Sequence, residues 1–489
     1  MNKKVFVLKY LLPPVLILAT GAVALRIMLG GSFPFVVTSI PPTGPLSPDE
    51  EKIAASFLDA PSQPAVPDDK NAAFAYRKAL DLFAAYKNNN PSYIPGDWRA
   101  VIGAISPALS APFTEPIPLA ADGAEPPAFL PLYNAASFAC NFGADWTMGP
   151  FTQIQRLPDM QDLAIWLGVQ VRFDMEQRRP ERALTHLAVS FGIAGHLSEE
   201  PALLSQIYAG SIMNLARRSL MQVAFQMKDD PAFLRDAAAL IREHGALRTP
   251  PADVITNECS LAVSYYCRLA ADPARSADDF TDALREFIEM AQPQFRDVPN
   301  DTLGSPPQGS TPYRHWLERA LGVPFNSIND STFRPVVRKM AAFCRTEADI
   351  LAAAAEENLA ASRDAASVFK EKDRTVFRAT PEALFARLFL PSTANFPLRF
   401  AKDAAENAAA VQVLAALARS SHDTGPVLDA FGAECTVTWF DDLVYIESPS
   451  QYVAPHVLDM CFGADVTYEQ LSQRLRDLSS SDALLNAPD

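Results

Sequence analysis

The stretch RPERALTHLAVSFGIAGHLSEE, residues 179–200, decides how we interpret the fold. Its apolar side chains recur every three or four positions, at Ala183, Leu184, Leu187, Ala188, Phe191 and Ala194. This spacing places them along one side of an α-helix. The next stretch, residues 201–227, begins with Pro201 and is again long and apolar, so the two predict a tight antiparallel helical hairpin. The pattern does not recur at about 34 residues, which argues against a helical solenoid.

Helical periodicity extends through most of the remaining chain. It predicts further helices at residues 47–60, 71–87, 160–177, 231–244, 252–272, 275–291, 334–370, 380–391, 394–421 and 466–478. Strand character appears in CTVTWF and LVYIES, which flank Asp441-Asp442 and predict a short β-hairpin. The sequence therefore predicts a mainly α fold, a bundle of antiparallel helical hairpins with a small β-hairpin near the C-terminus.

The chain, at 489 residues, is long enough for more than one core, and its proline-rich stretches suggest the boundaries. We predict an anchor or signal segment at 1–29, a Pro-rich linker with one short helix at 30–69, a helical domain at 70–296, a flexible loop at 297–312, a second helical region at 313–421 and a small α+β module at 422–489. The linker helix has a clear start, with Ser47 as N-cap, Pro48 in the first turn and Glu50 placed for a capping box.

The first 29 residues are mostly apolar and carry basic residues but no acids. The uncharged run between Lys9 and Arg26 is short for a bilayer core, but it spans one if both cations snorkel. The lysines before the run predict a cytoplasmic N-terminus, with the body held outside the cytoplasm by a single pass through the inner membrane. The small residues at Ala22 and Ala24 leave an alternative open, a signal peptide cleaved near Ala24 that releases a periplasmic or secreted protein.

The formal net charge is −15, and the basic N-terminus leaves the body of the chain even more acidic. Such a surface repels phosphate backbones, so we predict no binding to nucleic acid. An acidic surface favours basic partners or cations, although solubility is the simpler explanation of the charge.

The tripeptide Phe-Gly-Ala followed by an acid occurs three times, in CNFGADWTMGP at 140–150, FGAECT at 431–436 and CFGADVT at 461–467. We interpret the pattern as structural punctuation, in which the aromatic ring anchors, glycine adopts positive φ and the acid caps the next element. In the first copy the candidate structural residues are Cys140, Phe142, Gly143, Asp145 and Trp146. The alternative is a binding site at Asp145.

Six cysteines occur without any zinc-like spacing, at Cys140, Cys259, Cys267, Cys344, Cys435 and Cys461. An exported body meets an oxidising compartment, in which disulfides form. Cys435 and Cys461 are the best pair from sequence, because they are close together in a non-helical region. The alternative is that all six are buried free thiols.

The sequence contains no catalytic or nucleotide-binding signature of the common kinds, and we predict no cofactor and no metal. His186 and His196 are ten residues apart on one predicted helix, too far to share a metal, and we interpret them as helix-surface residues. Arg217-Arg218 is interpreted as a solvated helix face, and Asp441-Asp442 as a turn. His422 and His456 would join these acids only through an unknown fold.

Several segments together resemble a known family: CNFGADWTMGP, the hairpin at 178–212, NAAFAYRKALDLF at 71–83 and ARLFLPSTANFPLRFAKDAAENAAAVQVLAALA at 386–418. The family is bacterial, uncharacterised and made of exported, membrane-anchored helical proteins. Some members end in a pseudopilin-like helix-plus-hairpin module. The turn of that module is matched in part by residues 428–432, where Ala430 replaces the family's proline.

These observations predict a non-enzymatic scaffold or protein-interaction protein of the cell envelope. Its expected partners are the membrane, through the N-terminal segment, and another envelope protein. The alternative function is an envelope hydrolase or small-ligand-binding protein whose site forms only in three dimensions. A deep pocket that holds two or more of Asp441, Asp442, His422 and His456 would favour this alternative.

Overall fold

The computed structural model describes residues 46–58, 65–89, 127–135, 138–152, 156–291, 329–375, 390, 396–449, 460–463 and 470–476. Helices dominate these residues, which confirms the predicted mainly α class. The predicted anchor at 1–29 and the loop at 297–312 lie outside the described residues, as does most of the helix predicted at 380–391. Within the described part of the chain, no helix is both long and apolar enough to cross a membrane.

Eleven long helices in the described ranges set the architecture. They are α1 (Pro48–Ser56), α2 (Ala72–Asn89), α3 (Leu157–Glu176), α4 (Pro180–Leu197), α5 (Leu203–Gln226), α6 (Pro231–His244), α7 (Pro251–Ala271), α8 (Ala277–Ala291), α9 (Phe333–Glu357), α10 (Leu359–Thr375) and α11 (Phe396–Ala418). Short 3₁₀ helices occupy Asp68–Lys70, Pro127–Leu132 and Trp146–Phe151. Residues 470–476 are also helical.

The start of α1 confirms the predicted capping box. The Glu50 amide donates to the Ser47 hydroxyl at 3.2 Å, and the Ser47 amide donates to the Glu50 carboxylate at 2.7 Å. These two bonds satisfy backbone donors that a helix start otherwise leaves unpaired.

The predicted hairpin of α4 and α5 forms the centre of the larger core. Helices α2, α3, α6 and α11 pack around it, and the sheet adds Val444, Ile446 and Phe462. A smaller core lies between α7 and α9, with apolar side chains from α1, α8 and α10 around it.

The two cores do not follow the boundaries predicted from the prolines. Helix α11 belongs by sequence to the predicted region 313–421, yet it packs on α5 and α6 in the larger core. Helices α7 and α8 belong to the predicted domain 70–296, yet they pack with α9 in the smaller core. Packing therefore joins segments that the long proline-rich loops separate in sequence.

One long helix predicted at 334–370 is in fact two. Helix α9 ends at Glu357, Asn358 is extended, and α10 begins at Leu359. The side-chain oxygen of Asn358 accepts from the Ala361 amide at 2.8 Å. Asparagine is a poor interior helix residue and a good N-cap, so it divides an otherwise continuous alanine-rich pattern.

The C-terminal sheet contains the predicted hairpin and one strand more. Strands β1 (Thr436–Trp439) and β2 (Leu443–Glu447) are antiparallel, and the Phe440 amide donates to the Leu443 carbonyl across the turn. Strand β3 (Met460–Gly463) pairs with β2 on its other side, giving the order β1-β2-β3. The sequence pattern does not predict β3, because its residues also fit a cap before the last helix.

The strand register argues against the predicted Cys435–Cys461 disulfide. Cys461 pairs with Tyr445 on β2, and Tyr445 pairs with Thr438 on β1, three residues beyond Cys435. Two strand spacings and three residues along a strand amount to roughly 14 Å between the two Cα atoms. A disulfide joins Cα atoms no more than about 7 Å apart, so this arrangement does not allow the bridge.

Candidate functional site

The first Phe-Gly-Ala copy directly precedes a 3₁₀ helix. Gly143 has a φ of 71°, a conformation that a glycine adopts easily. Asp145 is the N-cap of Trp146–Phe151, and its carboxylate accepts from the amide and the hydroxyl of Thr147 at 3.0 and 2.5 Å. These bonds lower the pKa of Asp145. The Trp146 ring is buried against Ala202 and Leu261, and it anchors the segment to α7.

The other two copies adopt different local structures. In the second, Gly432 also has positive φ, but it is Asp429 whose carboxylate accepts from the Phe431 and Ala433 amides. In the third, Phe462 and Gly463 belong to β3. The shared letters therefore do not mark a repeated structural unit.

An open cavity lies beside the first copy. Its volume is about 280 Å³, and its lining comprises Ala65, Val66, Asp68, Asn71, Phe74, Arg77, Asn141, Phe142 and Gly143. The lining thus combines residues 65–68, the start of α2 and residues 141–143. We call this cavity the α2 groove.

One asparagine fixes the two sides of the α2 groove. The Asn71 side chain donates to the Asn141 carbonyl at 2.9 Å and accepts from the Asn141 amide at 3.0 Å. The same oxygen accepts from the Ala73 amide and so caps α2, while the Ala72 amide donates to Ala139. The Asn71 side chain therefore hydrogen-bonds to the backbone of Asn141 in the way that a neighbouring strand would.

A buried polar chain supports the floor of the α2 groove. The buried Phe142 ring stacks on Tyr76 with centroids 5.9 Å apart. The Tyr76 hydroxyl lies 2.5 Å from Nδ1 of His196, and Nε2 of His196 donates to the Phe138 carbonyl at 2.8 Å. Since the carbonyl only accepts, Nε2 carries a proton, and in the neutral ring Nδ1 therefore accepts from the Tyr76 hydroxyl. Burial lowers the pKa of His196 to about 4, which keeps this chain of bonds intact near neutral pH.

The rim of the α2 groove is exposed and mixed in charge. The Phe74 ring is 42% exposed, and the Arg77 guanidinium lies 4.3 Å from its centroid. Asp68 is exposed on the short 3₁₀ helix that precedes α2. The groove thus offers an aromatic surface beside a carboxylate, an arrangement suited to recognition of a side chain or short segment.

His186 and His196 are both buried, so the prediction that they lie on a helix surface is wrong. Nδ1 of His186 lies 2.9 Å from Oδ2 of Asp174, and its Nε2 lies 2.9 Å from the Tyr133 hydroxyl. The order of carboxylate, imidazole and hydroxyl is that of a catalytic triad. Here the carboxylate and imidazole are fully enclosed, so the arrangement joins α3 and α4 to Tyr133, which directly follows the 3₁₀ helix Pro127–Leu132, rather than facing a substrate.

Arg217 is also buried, contrary to the predicted solvated face, while Arg218 is exposed. The Arg217 guanidinium contacts the Glu406 carboxylate and donates to the Asn407 side chain at 2.8 Å. Asp403 lies 3.8 Å from it, and burial raises the pKa of Asp403 to about 6. These contacts tie α5 to α11 through the larger core.

Two glutamates near the α4–α5 turn, Glu200 (buried) and Glu258 (half-buried), are not indicated by the sequence pattern. The Glu200 carboxylate is 1% exposed and accepts from the Ser205 hydroxyl at 2.8 Å. Burial raises its pKa to about 7. Glu258 of α7 accepts from the Leu203 amide at 2.8 Å and caps α5, and burial raises its pKa as well.

The acids and histidines considered near the C-terminus do not converge in the described residues. Asp442 forms a bidentate pair with Arg474 at 2.7 and 3.2 Å, and His422 stacks on Trp439 at 5.0 Å. His456 lies outside the described residues. In the part of the chain that the structure describes, no three side chains form a metal-binding group.

Comparisons with protein-family models, with curated proteins and with solved structures find no match to this chain.

Proposed function

We propose that this protein is a non-enzymatic scaffold of the cell envelope, a member of the exported helical family that it resembles, held at the membrane by residues 1–29. The α2 groove is its recognition surface. The occupant is a partner segment with an apolar side chain next to a basic one.

The observation that carries the proposal is that Phe74 and Asp68, both exposed, line one groove whose floor is hydrogen-bonded. An apolar side chain of the partner packs on the exposed ring of Phe74. A lysine or arginine beside it pairs with the exposed Asp68. The net charge of −15 favours approach of a basic segment over an acidic one.

The chemistry of the remaining candidates supports a scaffold over the hydrolase alternative. His186 and Arg217 are enclosed in contacts between helices, and Asp442 is paired with Arg474. Each of these groups has a role in holding elements together. The groove itself holds one carboxylate and one guanidinium, with no histidine in its lining.

The test is a pull-down from membranes with the full-length chain, combined with proximity labelling. Asp68→Asn removes the groove carboxylate, and Asp69→Asn makes the same charge change on an exposed neighbour outside the groove. Phe74→Ser removes the aromatic surface. Val368→Ser makes a matched change at an exposed apolar residue of α10.

We expect Asp68→Asn and Phe74→Ser to lose the same labelled partner while both controls retain it, with unchanged melting temperatures. Added salt is expected to weaken the wild-type interaction and to have less effect on Asp68→Asn. Equal loss in Asp68→Asn and Asp69→Asn would refute specific recognition in the groove.

A further inference from the structure

Two buried cysteine side chains meet where α7 and α9 cross. The Sγ atoms of Cys259 and Cys344 lie 3.4 Å apart, and both residues are fully buried. They belong to the smaller core, away from the α2 groove.

Helix periodicity brings these two cysteines together. On α7 the buried stripe includes Ile255, Cys259, Ala262 and Val263, and on α9 it includes Met340, Ala341, Cys344 and Ala348. Small alanines beside each cysteine let the two helices approach closely. The sequence alone hides the pair, because 85 residues separate its members.

We propose that Cys259 and Cys344 form a disulfide that joins α7 to α9 when the chain folds in the presence of a disulfide donor. A thiolate of one cysteine attacks the donor, forms a mixed disulfide and releases one donor thiol. The other cysteine attacks that mixed disulfide and releases the second donor thiol. Both S–H bonds are lost, one S–S bond forms, and the donor takes up two electrons and two protons.

Burial determines when the reaction occurs. Burial raises the pKa of Cys344, so the attacking thiolate is scarce once the core has closed. The bridge therefore forms during folding, while the cysteines are still accessible. After folding, the same burial protects it from reductants.

The test uses the full-length chain, purified with its N-terminal segment, then unfolded, reduced and refolded with reduced and oxidised glutathione. Remaining thiols are alkylated in denaturant, and the peptides are mapped without reduction. We expect a linked pair containing Cys259 and Cys344, with Cys267 alkylated. Cys267→Ser is the matched control on α7 and is expected to retain the link, whereas Cys259→Ser leaves Cys344 alkylated.

A second measurement does not depend on any variant. A phosphine reductant added to the refolded protein is expected to leave the link intact until denaturant is present. Alkylation of both Cys259 and Cys344 in the refolded wild type would overturn the proposal. A link from either residue to another cysteine would overturn it as well, and so would rapid reduction without denaturant.

Discussion

Replacement of Glu200 by glutamine is expected to stabilise the protein in a pH-dependent manner. The folded state raises the pKa of Glu200 from 4.5 to about 7, because burial disfavours its charged form. Well below pH 4.5 the carboxyl is protonated in both the folded and the unfolded chain, so it does not affect stability. As the pH rises from 4.5 to 7, the unfolded chain ionises first, and unfolding becomes easier.

The magnitude follows from the difference between the two pKa values. A pKa difference of one corresponds to about 1.4 kcal/mol. The free energy of unfolding of the wild type is therefore lowered by about 1 kcal/mol at pH 5 and by about 3 kcal/mol at pH 8. Glutamine resembles the protonated acid and still accepts from Ser205. The variant is therefore expected to exceed the wild type in unfolding free energy by these amounts.

The assay is urea unfolding of both proteins at several pH values between 5 and 8, monitored by circular dichroism. The low pKa of His196 destabilises both proteins equally as the pH falls, so it cancels in the difference. Glu181→Gln, at an exposed position on α4, is the control and should change stability by less than about 1 kcal/mol. A Glu200→Gln difference that stays constant across this range, or a less stable variant at pH 8, would refute the reasoning.

Other predictions concern the first Phe-Gly-Ala copy and the N-terminus. Trp146→Ala is expected to cost about 3–5 kcal/mol in urea unfolding, because the ring is 5% exposed and its loss leaves a cavity. Asp145→Asn should melt like the wild type, since asparagine caps as well as aspartate, and Asp145→Ala should melt slightly lower. An Asp145→Asn protein that keeps its stability but loses its partners in pull-downs would instead indicate a binding site. The intact mass of protein purified from membranes should match the uncleaved chain, and a mature chain that starts at Leu25 would rule out the anchor.

The features that sequence predicts well here are local. The capping box at Ser47 and Glu50 involves residues three apart, and the stripe through Leu187 and Phe191 repeats within one helix. Both patterns are complete within a few turns of chain. The helices built on them therefore appear close to their predicted bounds.

The features that sequence misses depend on distant partners. His186 meets Tyr133 across 53 residues, and Arg217 meets Asn407 across 190. A polar residue on a predicted helix is normally assigned to solvent, because its buried partner is not visible in the local pattern. The sequence does not predict the α2 groove for the same reason, since the groove floor joins Phe142 to the distant residues Tyr76 and His196.

The position of α11 in the larger core has a consequence for biosynthesis. Helix α5 emerges long before its partner, because Arg217 and Glu406 are 189 residues apart. Until α11 is available, the guanidinium of Arg217 has none of its α11 partners, and the apolar face that α11 covers stays accessible. Contacts between segments so far apart in sequence slow folding, and the apolar surface that stays exposed meanwhile makes the nascent chain prone to aggregation.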